Sequence, residues 1–268
     1  MKLNIVVLAK QVPDTHSVGE DAMTPEGTIN RSALPAVFNP EDLNALEQAL
    51  RLKDDNPDST VGILTMGPPR AAEVIREGMF RGADTGWLLT DRLFAGADTL
   101  ATSYALSTAI RKMGKVDIIL GGRQAIDGDT AQVGPQVAEK LGLPQVTYAE
   151  QVDLKEDGNT AVVRRHIDTG VETVEVPLPC LITVNGSAAP CRPRNAKLTM
   201  AHKHDDAPFV WSVADVDGDP AQCGLSGSPT KVKAIQNIVF QAKEAKVLTS
   251  SDDDLKSLIV ELKGNKVI

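Results

Sequence analysis

The segment Gly121-Gly-Arg-Gln-Ala-Ile-Asp-Gly-Asp-Thr-Ala-Gln-Val-Gly134 holds the most suggestive spacing in the chain. Gly121, Gly122 and Gly128 let backbone approach a ligand closely. The segment runs into a predicted helix, whose first N–H groups and dipole favour an anion. Asp129 with Gln132 also reads as a capping box, Asp replacing Ser or Thr, and a cap needs no ligand. Two readings stand side by side: plain capping, or a nucleotide whose phosphates use neighbouring amides and hydroxyls. Thr99 and Thr102 supply such hydroxyls. They lie i, i+3 at the start of another predicted helix and can face one ligand.

Other chemistries lack their residues. No Gly-x-x-x-x-Gly-Lys-[Ser/Thr] loop occurs, no Gly-x-Gly-x-x-Gly follows the first strand, and no Gly-x-Ser-x-Gly elbow is present. His202-Lys-His204 lies in a polar stretch and reads as a solvated pair; His166 reads as structural. Cys180, Cys191 and Cys223 are odd in number and widely spaced, which suggests neither a disulfide framework nor a zinc site. No catalytic residue and no metal ligand is assigned. A reducing, cytoplasmic setting is expected.

The elements that must position these residues show in the hydrophobic pattern. Ile5–Ala9, Val61–Met66, Trp87–Thr90, Val116–Leu120 and Gln145–Tyr148 are short apolar runs of the kind that form buried parallel strands. Helical patterns separate them: one around Leu43, Leu46 and Leu50 behind Asn39-Pro40, then Ala71–Phe80, Asp98–Lys112 and Thr130–Leu141. This alternation predicts an α/β fold, a doubly wound, mainly parallel sheet. In such sheets ligands bind beyond the carboxyl ends of the strands, at the topological switch point. Thr160–Ile167 and Val171–Val176 then predict an added hairpin, and Leu181–Val184 a further buried strand.

Composition sets outer limits. The length of 268 residues allows about two domains. A net charge of −8 and an aromatic content of 3 % argue against a nucleic-acid binder. No apolar run reaches the ~20 residues of a membrane span. The expected division is an α/β nucleotide-binding domain at 1–187 and a C-terminal arm at 188–268. That tail shows little helical periodicity before Asp252–Lys263. Its apolar islands Pro208-Phe-Val-Trp211 and Ile238-Val-Phe240 suggest an arm laid on a partner subunit.

Taken together these residues resemble the β subunit of electron transfer flavoproteins, nearly end to end. Val7-Leu-Ala-Lys-Gln-Val-Pro-Asp14 resembles the family's opening strand and loop, and Asn39-Pro40 precedes an acidic helix as it does there. The 122–134 segment resembles its nucleotide loop. Val163-Arg-Arg-His-Ile-Asp-Thr-Gly-Val-Glu-Thr-Val174, then Pro179-Cys-Leu-Ile-Thr183, resembles its signature, with Thr169 departing at a turn position. Gly227-Ser-Pro-Thr230 is similar to a motif of the family's bacterial tail.

The resemblance implies an adenine-nucleotide-hydrolase-like α/β domain and a heterodimer whose α subunit carries one FAD. It implies cofactor-binding roles for Ala9, Asn39, Met66, Gly122, Arg123, Gln124, Ala125, Ile126, Asp127, Gly128, Asp129, Thr130, Gln132, Val133 and Gly134. Gly128, where ordinary members resemble Gln-Ala-Ile-Asp-Asp-Asp, and Asp98-Thr99-Leu-Ala-Thr102 look like the electron-bifurcating subgroup, with a second FAD in this subunit. That subgroup takes electrons from NADH and divides them between ferredoxin or flavodoxin and an acyl-CoA or related dehydrogenase. The alternatives are an ordinary member that holds AMP and shuttles electrons from dehydrogenases to a quinone reductase, and a non-redox nucleotide-binding module. Pro193-Arg-Asn-Ala-Lys-Leu198 resembles the family's docking loop, which makes Leu198 the expected partner-docking residue, exposed among polar neighbours.

Overall fold

The computed structural model describes residues 1–14, 35–204, 209–230 and 247–267. Pro208 and Ile238-Val-Phe240, two sequence features assigned above, lie outside them. In chain order the elements are β1 (Asn4–Leu8), β2 (Gln11–Pro13), β3 (Ala36–Phe38), α1 (Pro40–Asp55), β4 (Thr60–Met66), α2 (Ala72–Met79), β5 (Thr85–Leu89), α3 (Thr99–Met113), β6 (Ile118–Gly122), α4 (Val133–Leu141), β7 (Gln145–Leu154), β8 (Thr160–Ile167), β9 (Gly170–Pro177), β10 (Cys180–Val184), α5 (Ala196–His202), β11 (Phe209–Trp211) and α6 (Asp252–Gly264).

One sheet runs β11-β5-β4-β1-β6-β10-β7-β8-β9. It is parallel from β11 to β7, and β8 and β9 extend it antiparallel. The α/β, doubly wound, mainly parallel expectation holds. Alternate side chains of each strand feed opposite layers. Ile5 and Val7 join Ile63, Ile118 and Ile182 beneath Leu46 and Leu50 of α1 and Ile75 of α2. Val6 and Leu8 join Leu64, Ile119 and Leu181 beneath Ala105 and Leu106 of α3 and Val137 of α4. The chain leaves β1 toward β4 on one side and later returns through β6 on the other, so the order reverses at β1.

Helix starts explain most boundaries. Pro40 occupies the first position of α1, and Asp98 caps α3 by accepting from the Leu100 and Ala101 amides, 3.0 Å each. The helix expected from Thr130 begins only at Val133, without a side-chain cap. Asp129 and Ala131 adopt φ of 49° and 53°, left-handed values that a helix cannot contain. The Asp129 carboxylate instead accepts from Gln124 Nε2 at 2.8 Å. The capping-box reading of Asp129 and Gln132 is therefore corrected.

The tail also differs from expectation. Phe209-Val-Trp211 forms an edge strand of this chain's own sheet, parallel to β5. Trp87 of β5 stacks on Phe209 at 5.8 Å between centroids, with Trp211 tilted at 6.2 Å. Val213, Val216 and Cys223 are buried in the α3/α4 layer. The chain divides into residues 1–233 and 234–268, so the expected break after 187 falls inside the first unit. A run poor in periodicity hid this because it adds single anchors to an existing core, not an element of its own. In the second unit α6 is capped by Ser251, which accepts from the Asp254 amide.

Trp87→Ala tests the edge strand. Losing a ring that packs on two aromatics of β11 should cost about 3 kcal/mol, read as a lower urea midpoint. An unchanged midpoint would show that β11 adds nothing to the sheet.

Candidate functional site

A cavity of about 170 Å³, open to solvent, lies where the strand order reverses. The ends of β1, β4 and β6 form its floor, and α3 and the 122–134 segment form its walls. Of the residues expected to bind a cofactor, the structure brings Ala9, Met66, Thr102, Gly122, Arg123, Gln124, Ala125, Gly128, Asp129, Thr130, Gln132, Val133 and Gly134 to this lining. Asn39, Thr99, Ile126 and Asp127 stand behind it. Their side chains or amides hold the walls in place.

Asn39 is fully buried and does not cap α1. Its Nδ2 donates to the Gln124 carbonyl at 2.9 Å and its Oδ1 accepts from the Ile126 amide at 3.2 Å. Asp127 accepts from Lys10 Nζ at 2.7 Å. Thr99 Oγ1 donates to Gln132 Oε1 at 2.9 Å and accepts from Gln136 Nε2 at 3.3 Å. Two neighbours of Asn39 were not singled out in the sequence. Glu41 accepts from the Gln124 amide and from Arg123, both at 2.9 Å. Asp42 accepts from the Lys10 and Gly122 amides, also at 2.9 Å. The signal for them is an acidic pair in the first turn of α1, which a dipole argument explains without reference to a distant loop.

The glycines divide into two kinds. A Cβ at Gly122 would lie 2.5 Å from Asp42 Oδ1, and one at Gly134 would lie 2.6 Å from Thr183 Cγ2. Those two line the cavity and also let α1 and α4 pack closely against it. At Gly128 a Cβ meets nothing within 4 Å, and the residue lines the cavity.

The electrostatics favour an anion on backbone groups. Lys10 is paired with Asp127, and Arg123 with Glu41, with the Tyr148 ring 5.7 Å from its guanidinium. The uncapped start of α4 offers N–H groups that have no partner within the helix. Ala131 at positive φ followed by Gln132 in the right-handed region is the pairing of hands that turns successive amides to one side.

The electron transfer flavoprotein domain matches residues 26–207. The chain is 47 % identical over 230 residues to the caffeyl-CoA reductase-Etf complex subunit CarD of Acetobacterium woodii, covering 86 % of each. It is 43 % identical over 272 residues to the electron transfer flavoprotein subunit beta of Megasphaera elsdenii, covering 99 % of this chain and 98 % of that one. It is 45 % identical over 237 residues to the acryloyl-CoA reductase electron transfer subunit gamma of Anaerotignum propionicum, covering 86 % of each. The chain belongs to the electron transfer flavoprotein β-subunit family.

Within this electron transfer flavoprotein subunit, Leu198 sits half-buried on α5, whose start Asn195 caps by accepting from the Lys197 and Leu198 amides. It borders a groove with Pro193 and His202, whereas Met200, two residues on, is 65 % exposed. Leu198 is thus less exposed than its polar neighbours suggested. Among the described residues no helix is long and apolar enough to cross a membrane.

Asp42 is the most deeply buried carboxyl of the cavity lining. Burial pushes its carboxyl up to about 7, against the hydrogen bonds from the Lys10 amide, Asn39 and the Gly122 amide. The unfolded value is about 3.9. Its contribution to stability is therefore complete below pH ~4 and lost as the pH rises through about 7. An anion in the cavity favours the protonated form, so anion affinity should rise as the pH falls through that value. Carbon-13 titration of Asp42 should show a midpoint near 7 that moves upward when nucleotide is added. A midpoint near 4 would show the carboxylate to be adequately solvated by its amides.

Proposed function

We propose that this subunit holds FAD in the switch-point cavity and, with an electron transfer flavoprotein α subunit carrying a second FAD, bifurcates electrons from NADH. One branch leads to ferredoxin or flavodoxin, the other to an acyl-CoA or related dehydrogenase. The observation that carries this reading is Gly128, which lines the cavity with open space where its side chain would be. An aspartate there would aim a carboxylate at the diphosphate. At about 4 Å the repulsion would be ~1 kcal/mol in water and ~4 kcal/mol at a protein surface. The relatives named for caffeyl-CoA and acryloyl-CoA reductase complexes support a dehydrogenase partner.

The residues present fit such a group. The amides from Thr130 to Gly134 and the Thr102 hydroxyl would receive its phosphates, while Asn39, Glu41 and Thr99 keep those donors in place. A bound flavin supplies the redox chemistry. The protein's part is to orient it at the switch point and to keep the paired cations Lys10 and Arg123 from competing with the amides. Thr99 acts through Gln132 and Gln136, so its loss should loosen the site, whereas loss of the Thr102 hydroxyl should remove a contact.

Flavin stoichiometry decides the cofactor. The assembled protein should carry two FAD per heterodimer; one FAD with AMP here would mark an ordinary carrier. Gly128→Asp should fold normally, because nothing occupies the space, and lose FAD from this subunit by about tenfold or more in affinity. Retention of both flavins by this variant would overturn the assignment of the cavity.

The α5 face is proposed as the docking site for the dehydrogenase, with Leu198 as its anchor and Met200 as exposed apolar surface beside it. Leu198→Ala should weaken docking by about one decade, the half-burial of the side chain leaving only part of its ~1.5–3 kcal/mol to be gained in a partner's pocket. Flavin content should not change. Loss of flavin, or undiminished electron transfer to every dehydrogenase tested, would remove Leu198 from this role.

A further inference from the structure

The tail motif Gly227-Ser-Pro-Thr230 meets the nucleotide site through one carboxylate. Asp98 Oδ1 accepts from the Leu100 and Ala101 amides and so caps α3. Its Oδ2 accepts from the Thr230 amide at 3.1 Å and from Thr230 Oγ1 at 2.7 Å. The Asp98 amide donates to Ser228 Oγ at 2.8 Å, and that hydroxyl donates to the Gly224 carbonyl at 2.6 Å. Ser228 is buried, and Gly224 packs so closely that a Cβ would lie 2.2 Å from the Leu93 carbonyl oxygen. Burial acts to raise the Asp98 pKa, and the hydrogen bonds from Thr230, Ala101 and Leu100 outweigh it and hold the carboxyl below the usual carboxylate range.

The residue after Asp98 is Thr99, which is bonded to both Gln132 and Gln136. Gln136 Oε1 also accepts from Ser103 Oγ of α3 at 3.1 Å. Hydrogen bonds thus tie Thr230 to Asp98 and Asp98 to the first turn of α3, and the Thr99 side chain next to Asp98 carries the link on to the start of α4. Thr102, on that same first turn, lines the cavity. Thr230 is also close to where the chain passes from the first unit to residues 234–268.

We propose that Asp98 and Thr230 form a clasp that sets nucleotide affinity, Asp98 being a positioning residue: with Thr230 seated, α3 holds Thr102 and the Gln132 wall in the binding arrangement. This rests on the nucleotide reading of the cavity. Coupling of this kind is reciprocal, so bound nucleotide must hold Thr230 in its seat by the same factor.

The experiment uses the full-length chain in its native assembly, with FAD as the probe. Thr230→Val should weaken FAD in this subunit by about fivefold, the low end of ordinary coupling because Thr230 is exposed. Thr230→Ser, which keeps the hydroxyl, should bind as wild type does. In the wild-type protein, FAD should slow hydrogen exchange of the Thr230 amide. A clasp that is structural only would lower the melting temperature of the Thr230→Val protein and leave FAD affinity and Thr230 exchange untouched. Either of those two null results overturns the proposal. Gly128→Asp, which leaves the clasp intact, separates the failures: if it retains FAD, the cavity reading is at fault and not the clasp.

Discussion

Asn39, Glu41 and Asp42, at the start of α1, tie the ends of β1 and β6 to the loop that follows β6. Between them they accept or donate hydrogen bonds at Lys10, Gly122, Arg123, Gln124 and Ile126. Without these bonds the loop would keep few long-range anchors, chiefly Lys10 on Asp127 and Thr99 on Gln132, and a loop with left-handed Asp129 and Ala131 is not one that free chain prefers. Each such residue costs roughly 1–3 kcal/mol, which persists only where the surroundings over-determine the conformation. The buried polar end of α1 supplies that determination. It works because the helix begins at the switch point, where the sheet leaves a gap between the helices of its two faces.

The same arrangement sets the charge of the cavity. A subunit with net charge −8 cannot hold a phosphate group by general electrostatic attraction. The two cations nearest the cavity are consumed by Asp127 and Glu41. What remains is oriented backbone: the uncapped start of α4 and the amides turned by the change of hand at Ala131. Such donors carry no counter-ion and cost no side-chain entropy on binding. They discriminate by geometry, so a carboxylate introduced at position 128 in place of glycine would weigh heavily.

The fold was legible because its signals are local and repeated. Apolar runs separated by helical periods give parallel strands, and the switch point follows from topology. The loop was found because its glycines and its position after a buried strand are visible in one stretch. Asp42 was not, since its partners Lys10 and Gly122 are 32 and 80 residues away. The acidic first turn has a sufficient local explanation in the helix dipole, so nothing in the sequence asks for a second one. The start of α4 was misjudged for a related reason: Asp129 and Gln132 have the spacing of a cap, but Gln124 competes for the carboxylate. The Phe209–Trp211 strand was placed on a partner because three residues carry no period, and only Trp87 shows where they belong.

The misreadings of Asp42 and Asp129 share a physical cause. A short polar side chain such as Asp or Asn can satisfy a helix end, a loop amide or a distant segment, and its sequence neighbours do not say which. Asp98 does two of these at once, capping α3 with one oxygen and holding Thr230 with the other. Asn39 has the position of a cap, but its side chain makes no cap hydrogen bond. The difference lies in what else approaches: α3 starts where a tail segment returns, and α1 starts where a strand ends. Proline at the first position of α1 has no N–H, so the helix start carries one fewer unpaired donor. The Asn39 side-chain amide bonds the 124–126 backbone instead, and the 122–134 loop is built on a helix start that needs less capping.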